Sequence, residues 1–143
     1  MATTFERRRL GSLHPVHAIL LGFPFPLFLG ALLSDLAYAS SYEIQWTNFA
    51  SWLIAGALLV GAFLLLWALV DLLRARSGAK GRPMLYFILI LVMWALGFVD
   101  ALVHAMDAWE KMPAAVILSV IVTVLALAAA WIGYSSYRSG EVR

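Results

Sequence analysis

Four long apolar stretches occupy most of the chain, and the polar residues fall mainly in the short segments between them. The stretches cover Ala18–Leu36, Phe49–Val70, Met84–Val103 and Ala114–Tyr134. Each has about 19–22 residues, which at ~1.5 Å per residue is enough to cross the ~30 Å hydrocarbon core of a membrane. The pattern therefore predicts an all-α, four-helix transmembrane bundle with spans at about 14–38, 48–73, 84–104 and 114–136.

Positive charge is divided unequally between the two ends of these spans. If the chain weaves through the bilayer, its N-terminus, middle loop and C-terminus share one side, and the short loops favour an up-down-up-down order. That side carries nine of the ten lysines and arginines, and the other side carries only Lys111. Because Lys and Arg concentrate in cytoplasmic loops, both termini are predicted to be cytoplasmic.

Composition limits what else the chain can contain. Hydrophobic residues make up 64% of the sequence and charged residues only 13%, so residues 1–143 are predicted to form a single integral membrane domain. The net charge of +2 lies in short loops next to the membrane, where it favours contact with lipid over nucleic acid. The absence of cysteine excludes disulfides and thiolate metal sites.

Local signals indicate where the first two spans bend or begin. Pro24 and Pro26 remove backbone donors from the first span, so we expect a kink or a break there that faces the inside of the bundle. Arg7–Arg9, an apolar run and Ala37-Tyr38-Ala39 resemble a signal peptide. The two prolines and the length of the run argue instead that the first span is retained. Thr47 or Asn48 is expected to cap the second span.

His14 and His17 are three residues apart at the start of the first span, so they fall on one face of a helix. A helix N-terminus favours the neutral imidazole, which is the metal-binding form. Both are therefore candidate cofactor-binding residues. Two structural interpretations stay open: His14 as a helix cap, and His17 as an interfacial side chain.

A second polar group is predicted at the opposite end of the spans. His104 follows Asp100 by one turn in the third span, and Asp35 is expected at the same depth on the first. An Asp–His pair orients an imidazole for metal or proton work, and ionisable residues inside a membrane are candidates for function. The alternative, which the short polar outer loops favour, is a solvated helix end. His104 is thus a candidate cofactor ligand, and Asp35 and Asp100 are candidate intramembrane polar sites.

The depth of these histidines limits how a haem could be held. His17 and His104 differ by roughly 25 Å along the membrane normal at ~1.5 Å per residue, whereas two axial nitrogens each lie about 2 Å from one iron. These two residues cannot share a haem. A haem near the inner end would need His14 or His17 with another ligand such as Met84, and one near the outer end would have His104 without a second histidine.

Motifs for catalysis are missing from the sequence. It contains no His-Glu-x-x-His, no Gly-x-Ser-x-Gly and no phosphate-binding glycine loop. We therefore predict no catalytic residues, no protein-ligated metal site and no enzymatic activity by this chain alone.

The segment LHPVHAILLGFP at 13–24, followed by Asp35, resembles the opening of a known bacterial family. That family consists of small four-helix inner-membrane proteins filed as a domain of unknown function, which begin with a His-Pro-x-His-like element and a later Phe-Pro. Further similarity at 44–49, 52–57 and 130–134 extends the resemblance over most of the chain. This sequence departs from many members by having Arg82-Pro83-Met84 where they carry a histidine at the start of the third span.

The resemblance implies a multi-pass protein of the bacterial inner membrane. It also suggests an electron-transfer role beside a periplasmic oxidoreductase or another membrane subunit. Carried over to this chain, ligand roles would fall on His14 and His17, with His104 as a feature of a subgroup.

Three functions therefore stay open. The favoured one is an accessory or anchor subunit of a membrane-associated complex, either with b-type haem for electron transfer or as a cofactor-free scaffold. The alternative is a small transporter or proton-coupled channel that uses Asp35, Asp100 and His104. A homo-oligomer is also open, because the small-residue pair Ala57 and Gly61 serves either packing within the bundle or a dimer face.

Overall fold

The computed structural model describes residues 14–107 and 110–138, the last three by their backbone only. Its α-helices are α1 (Pro15–Gly22), α2 (Pro24–Ser41), α3 (Ile44–Arg74), α4 (Gly81–His104) and α5 (Ala114–Arg138), with a 3-10 turn at Ser77–Ala79. Four helical segments are long and apolar enough to cross a membrane, with α1 and α2 together forming the first. The all-α transmembrane bundle is thereby confirmed.

The four spans, with α1 and α2 counted as one, form a ring in which each span packs against two neighbours. Consecutive helices from α2 to α5 are in contact, and α5 closes the ring against α2. The core contains the fully buried side chains Phe28, Ile54, Ile90 and Met93. Large apolar side chains also cover the outside, with Trp52 and Trp131 each 75% exposed. Helices that are apolar on every side suit a lipid surrounding.

The bundle has two chemically different ends. We call the end where α1 begins and α3 ends the basic end, because Arg74, Arg76, Lys80 and Arg82 lie there. The opposite end, formed by the α2–α3 link and residues 105–107 and 110–113, is called the distal end. The α2–α3 link is only two residues long, and Tyr42 ends α2 with a left-handed φ of 55°.

The expected break in the first span is confirmed, but its direction is only partly as predicted. The helix stops at Gly22 and restarts at Pro24, with Phe23 between. Pro24 is buried, whereas Phe23 and Pro26 are exposed. The Leu20 carbonyl, which Pro24 cannot serve, accepts a hydrogen bond from Phe23 N at 3.4 Å. Because the chain satisfies this carbonyl locally, the break does not have to face inward.

The expected cap of the second span is wrong. Helix α3 already begins at Ile44 after Glu43, one turn before Thr47 and Asn48. Thr47 instead lies inside the helix with its side chain 3% exposed. Its hydroxyl is free to serve a partner from another part of the chain.

Candidate functional site: a buried carboxylate–histidine cluster

Three helices bring four polar side chains together near the distal end of the bundle. Asp35 comes from α2, Asp100 and His104 from α4, and Ser119 from α5. Asp100 and His104 are one turn apart, so α4 presents both on the same face. Asp35, Asp100 and Ser119 are 0% exposed and His104 is 6% exposed. We refer to these four residues as the distal cluster.

His104 is held through both nitrogens of its ring. Nδ1 donates to the backbone oxygen of Asp100 at 2.9 Å, and Nε2 lies 2.8 Å from Asp35 Oδ1. A carbonyl oxygen only accepts, so Nδ1 carries a hydrogen. The contact between Nε2 and Asp35 Oδ1 is then a second hydrogen bond, whose proton is carried by one of these two atoms.

Ser119 connects the two carboxylates unequally. Its hydroxyl lies 2.5 Å from Asp35 Oδ2 and 3.3 Å from Asp100 Oδ2. A hydroxyl has one hydrogen to donate, so the shorter contact to Asp35 takes it. Asp35 thus has a partner on both of its oxygens. Asp100 Oδ2 has only the longer contact to the Ser119 hydroxyl.

One oxygen of Asp100 is left unsatisfied. Oδ1 lies 3.2 Å from His104 Nδ1 but receives no hydrogen bond, because that nitrogen donates to the Asp100 backbone oxygen instead. Among the described residues, Asp100 Oδ1 is the one buried side-chain oxygen or nitrogen atom that lacks a hydrogen bond. A buried carboxylate oxygen without a donor is costly, so Asp100 Oδ1 is the open hydrogen-bonding position of the cluster.

Lys111 approaches the cluster from the link between α4 and α5. Its side chain is 4% exposed, and Nζ donates to Thr47 Oγ1 at 2.8 Å and to the His104 backbone oxygen at 3.2 Å. Burial lowers the pKa of Lys111 below its ordinary value, while the Asp35 and Asp107 carboxylates oppose that shift. The one basic residue predicted for the outer side is therefore packed inward.

The sequence placed three of these side chains correctly and misjudged their surroundings. Asp35 does lie at the depth of His104, and Asp100 does lie on the same face. The interpretation as a solvated helix end is wrong, because the bundle buries all three. Ser119 was not identified from the sequence. Its spacing of four residues from Thr123, which is also buried, was the signal that α5 carries polar residues on one face.

The two remaining candidate histidines lie together at the basic end. His14 caps α1, with Nδ1 accepting from Val16 N at 3.3 Å. His17 is buried, and its Nε2 is 3.1 Å from the Tyr86 hydroxyl. Both rings flank Trp67, with centroid distances of 5.3 Å and 5.2 Å. His14 and His17 thus do lie on one face of the first span, as predicted, and Trp67 packs against that face.

The two histidine sites are far apart. His17 contacts Tyr86 near the start of α4, and His104 ends the same helix, so about 27 Å separates them at ~1.5 Å per residue. A cavity of about 190 Å³ beside His17 is lined also by Tyr86, Arg82 and Asp71. That volume is below the ~300–1,000 Å³ usual for cofactor pockets. Among the described residues, no three His, Cys, Asp or Glu side chains are arranged to hold a metal ion.

Fold and cluster together define the class: a four-span integral membrane protein with ionisable side chains buried between its helices. The chain belongs to the family described as "Predicted membrane protein (DUF2231)", whose model matches residues 13–142. This confirms the resemblance drawn from the sequence. No curated protein and no solved structure matches the chain.

Proposed function

We propose that this protein is a small proton-coupled transporter in which the distal cluster binds the coupling proton. The observation that carries the proposal is the unsatisfied Asp100 Oδ1, which lies within 3.2 Å of the His104 ring inside a fully buried network. A proton can move between His104 Nε2 and Asp35, while Asp100 offers a position for a second one. Asp35, Asp100 and His104 are thus the proton-carrying residues, and Ser119 positions Asp35.

Burial at this depth supports a functional role. Ionisable residues inside a membrane are costly, and where they occur they commonly mark ion or proton pathways. A purely structural core would be as stable, or more so, with apolar side chains of similar volume. Two aspartates and a histidine at 0–6% exposure therefore need a use beyond packing.

The same geometry does not favour His104 as a haem ligand. Iron needs a free imidazole nitrogen. Both nitrogens of His104 already have partners within 3 Å. Binding iron would break one of these contacts and leave a buried carboxylate or carbonyl without its donor.

An apolar layer separates the distal cluster from the basic end. Phe28, Ile54, Ile90 and Met93 fill the middle of the bundle at 0–1% exposure. A proton cannot cross such a layer along hydrogen bonds, which argues against a continuously open channel. A transporter that changes conformation is consistent with a closed middle, and the break at Phe23 is a place where the first span can bend.

The charge asymmetry supports an orientation and a location. We place the protein in a bacterial inner membrane with the basic end and both termini in the cytoplasm, since Lys and Arg concentrate in cytoplasmic loops. The distal cluster then lies near the periplasmic surface. The proposal assigns no enzymatic activity to the chain.

Proton movement into reconstituted vesicles tests this function. The protein is placed in liposomes that contain a pH-sensitive dye, and a potassium diffusion potential and gradients of small solutes are applied in turn. We expect acidification above that of protein-free liposomes under one of these conditions. Asp35→Asn and His104→Gln should reduce the rate at least about tenfold, a usual contribution of a positioned proton-transfer group.

Asp71→Asn is the matched control, because Asp71 is an exposed aspartate in the last turn of α3, at the basic end and away from the distal cluster. It should leave the rate unchanged. Circular dichroism of each variant checks that the helices are retained. Absence of proton movement by the unaltered protein under all gradients would reject the transporter.

An accessory electron-transfer subunit is the second candidate function. It rests on His14 and His17, which lie on either side of Trp67 at the basic end. Here b-type haem would be bound by His14 or His17, and the partner would be a periplasmic oxidoreductase or another membrane subunit. A cofactor-free anchor is the variant of this function in which both histidines are structural.

A visible spectrum distinguishes the two candidates. The protein is expressed with ample haem, purified in mild detergent and measured oxidised and after dithionite reduction. The proton-coupled function predicts no reduced haem bands. Sharp bands that disappear in His17→Ala but persist in His104→Ala would instead establish a haem subunit with its ligand at the basic end.

A further inference from the structure

A polar cavity opens beside the distal cluster. It has a volume of about 270 Å³ and is lined by Thr47, Asn48, Ser51, His104, Asp107 and Lys111 among others. Since a water molecule takes about 30 Å³ of liquid, the cavity has room for several waters. It extends from the distal end of the bundle to His104, the member of the distal cluster that lines it.

The Lys111 side chain ties this cavity together. Its ammonium group bonds to Thr47 on α3 and to the last residue of α4, so it links two helices that both line the cavity. Lys111 itself lies outside the helices. The side chain of lysine is a flexible four-carbon stem, so the ammonium group can occupy either the buried position or one nearer the distal end of the bundle.

Among the buried groups of this region, the charges balance only when Lys111 is counted, while Asp107 is exposed. Asp35 faces the cluster from α2, Asp100 and His104 from α4, and Asp107 and Lys111 from the link. In the described part of the chain α3 and α5 contribute the hydroxyls of Thr47 and Ser119. With His104 doubly protonated, His104 and Lys111 supply two positive charges against the two buried carboxylates.

We infer that the cavity is the entrance through which protons reach the distal cluster, and that Lys111 is a tethered counter-ion that closes this entrance. The inference rests on the proposed function. It adds the side of the membrane from which protons reach the cluster, and the residue that controls their entry. A hydronium ion in the cavity gives up one proton to the cluster at His104, the cluster residue that lines the cavity, and a neutral water is left behind. The extra positive charge then repels Lys111, which moves outward toward Asp107.

Thiol labelling tests the gate directly, because the chain has no cysteine of its own. Ser51 lines the cavity one turn deeper on α3 than Thr47. A Ser51→Cys protein is treated with a charged thiosulfonate that does not cross membranes, in spheroplasts and in inverted vesicles. We expect labelling only from the periplasmic side. Adding Lys111→Ala should raise its rate about tenfold, the scale set by loss of hydrogen bonds from a charged group.

Two variants serve as controls. Lys111→Arg keeps the charge and the reach, so the labelling rate should remain within about threefold of the starting protein. Ala57→Cys places a thiol in the core of α3 at 1% exposure and should stay unlabelled in all backgrounds. Labelling of Ala57→Cys after Lys111→Ala would mean that Lys111 holds the whole bundle together, and this result would overturn its role as a gate.

The outcomes separate the two proposals. If Lys111→Ala changes neither the labelling of Ser51→Cys nor proton movement, Lys111 is no gate even where the transporter stands. Labelling from the cytoplasmic side overturns the entrance. If the unaltered protein moves no protons, the proposed function fails and the counter-ion role fails with it. An increase in labelling would then still show that Lys111 closes the cavity.

Discussion

At the scale of single residues, the Ser119 hydroxyl decides how the two buried aspartates differ. It lies 2.5 Å from Asp35 and 3.3 Å from Asp100, so its one hydrogen goes to Asp35. Asp35 has a donor on each oxygen, and Asp100 Oδ1 has none. Two carboxylates in the same apolar setting thereby differ in how completely their oxygens are hydrogen-bonded.

Removing this hydroxyl should destabilise the protein. Ser119→Ala leaves Asp35 Oδ2 buried without a donor, so we expect the free energy of unfolding to fall by ~1–3 kcal/mol. The matched control is Ser34→Ala, because Ser34 is equally buried but bonds only to Gly30 O of its own helix. That change should cost less than ~1 kcal/mol. Tryptophan fluorescence during unfolding in mixed detergents measures both, and equal losses would contradict the assigned role of Ser119.

The sequence identified the charged members of the site and not their partners. Asp35, Asp100 and His104 could be predicted because ionisable residues inside apolar runs are conspicuous. Ser119, Thr47 and the inward position of Lys111 could not be predicted. Hydroxyls occur in any helix, and which side chains meet across helices depends on rotations that one sequence pattern does not fix.

At the scale of helices, glycine allows α4 to approach its neighbours closely. A Cβ at Gly97 would lie 2.9 Å from Phe28 Cζ on α2 and 3.2 Å from Leu58 Cδ2 on α3. Phe28 is itself 1% exposed and has little room to move. Gly97 is therefore a contact point for three helices, whereas a Cβ at Gly78 in the α3–α4 connection would meet nothing within 4 Å.

Filling this contact should separate the helices. Gly97→Leu forces Phe28 or α2 to shift, and overpacking of this kind costs ~1–3 kcal/mol. Gly78→Leu is the matched control and should change the free energy of unfolding by less than ~0.5 kcal/mol. Thermal unfolding in detergent, followed by circular dichroism, compares the two. Similar melting temperatures for both variants would show that Phe28 relaxes freely and that the close approach is not required.

Helix boundaries were predicted with mixed success for a physical reason. The break at Phe23 followed from the two prolines, which act within one turn of the chain. The start of α3 was placed too late, because Thr47 has the side chain of a cap. A residue of this type also occurs inside a helix when a partner from elsewhere satisfies it, as Lys111 does here.

At the scale of the whole molecule, the surrounding lipid made the architecture predictable. Only helices satisfy every backbone group of a single span, so four apolar runs imply four helices. The short links then leave an antiparallel ring as the simple arrangement, and the structure has it. The burial of the cluster was not predictable at this scale, since it depends on how the ring covers one end of α4.

The closed apolar layer across the middle of the bundle determines where the membrane voltage acts. A dry layer of low dielectric carries most of the electrical potential difference, and one charge moved through all of it involves ~2.3 kcal/mol per 100 mV. The distal cluster lies on one side of Phe28, Ile54, Ile90 and Met93, close to the distal water. A proton that enters from that side crosses little of the field. Occupancy of the cluster should therefore follow the acidity on the distal side of the membrane and respond only weakly to the membrane potential.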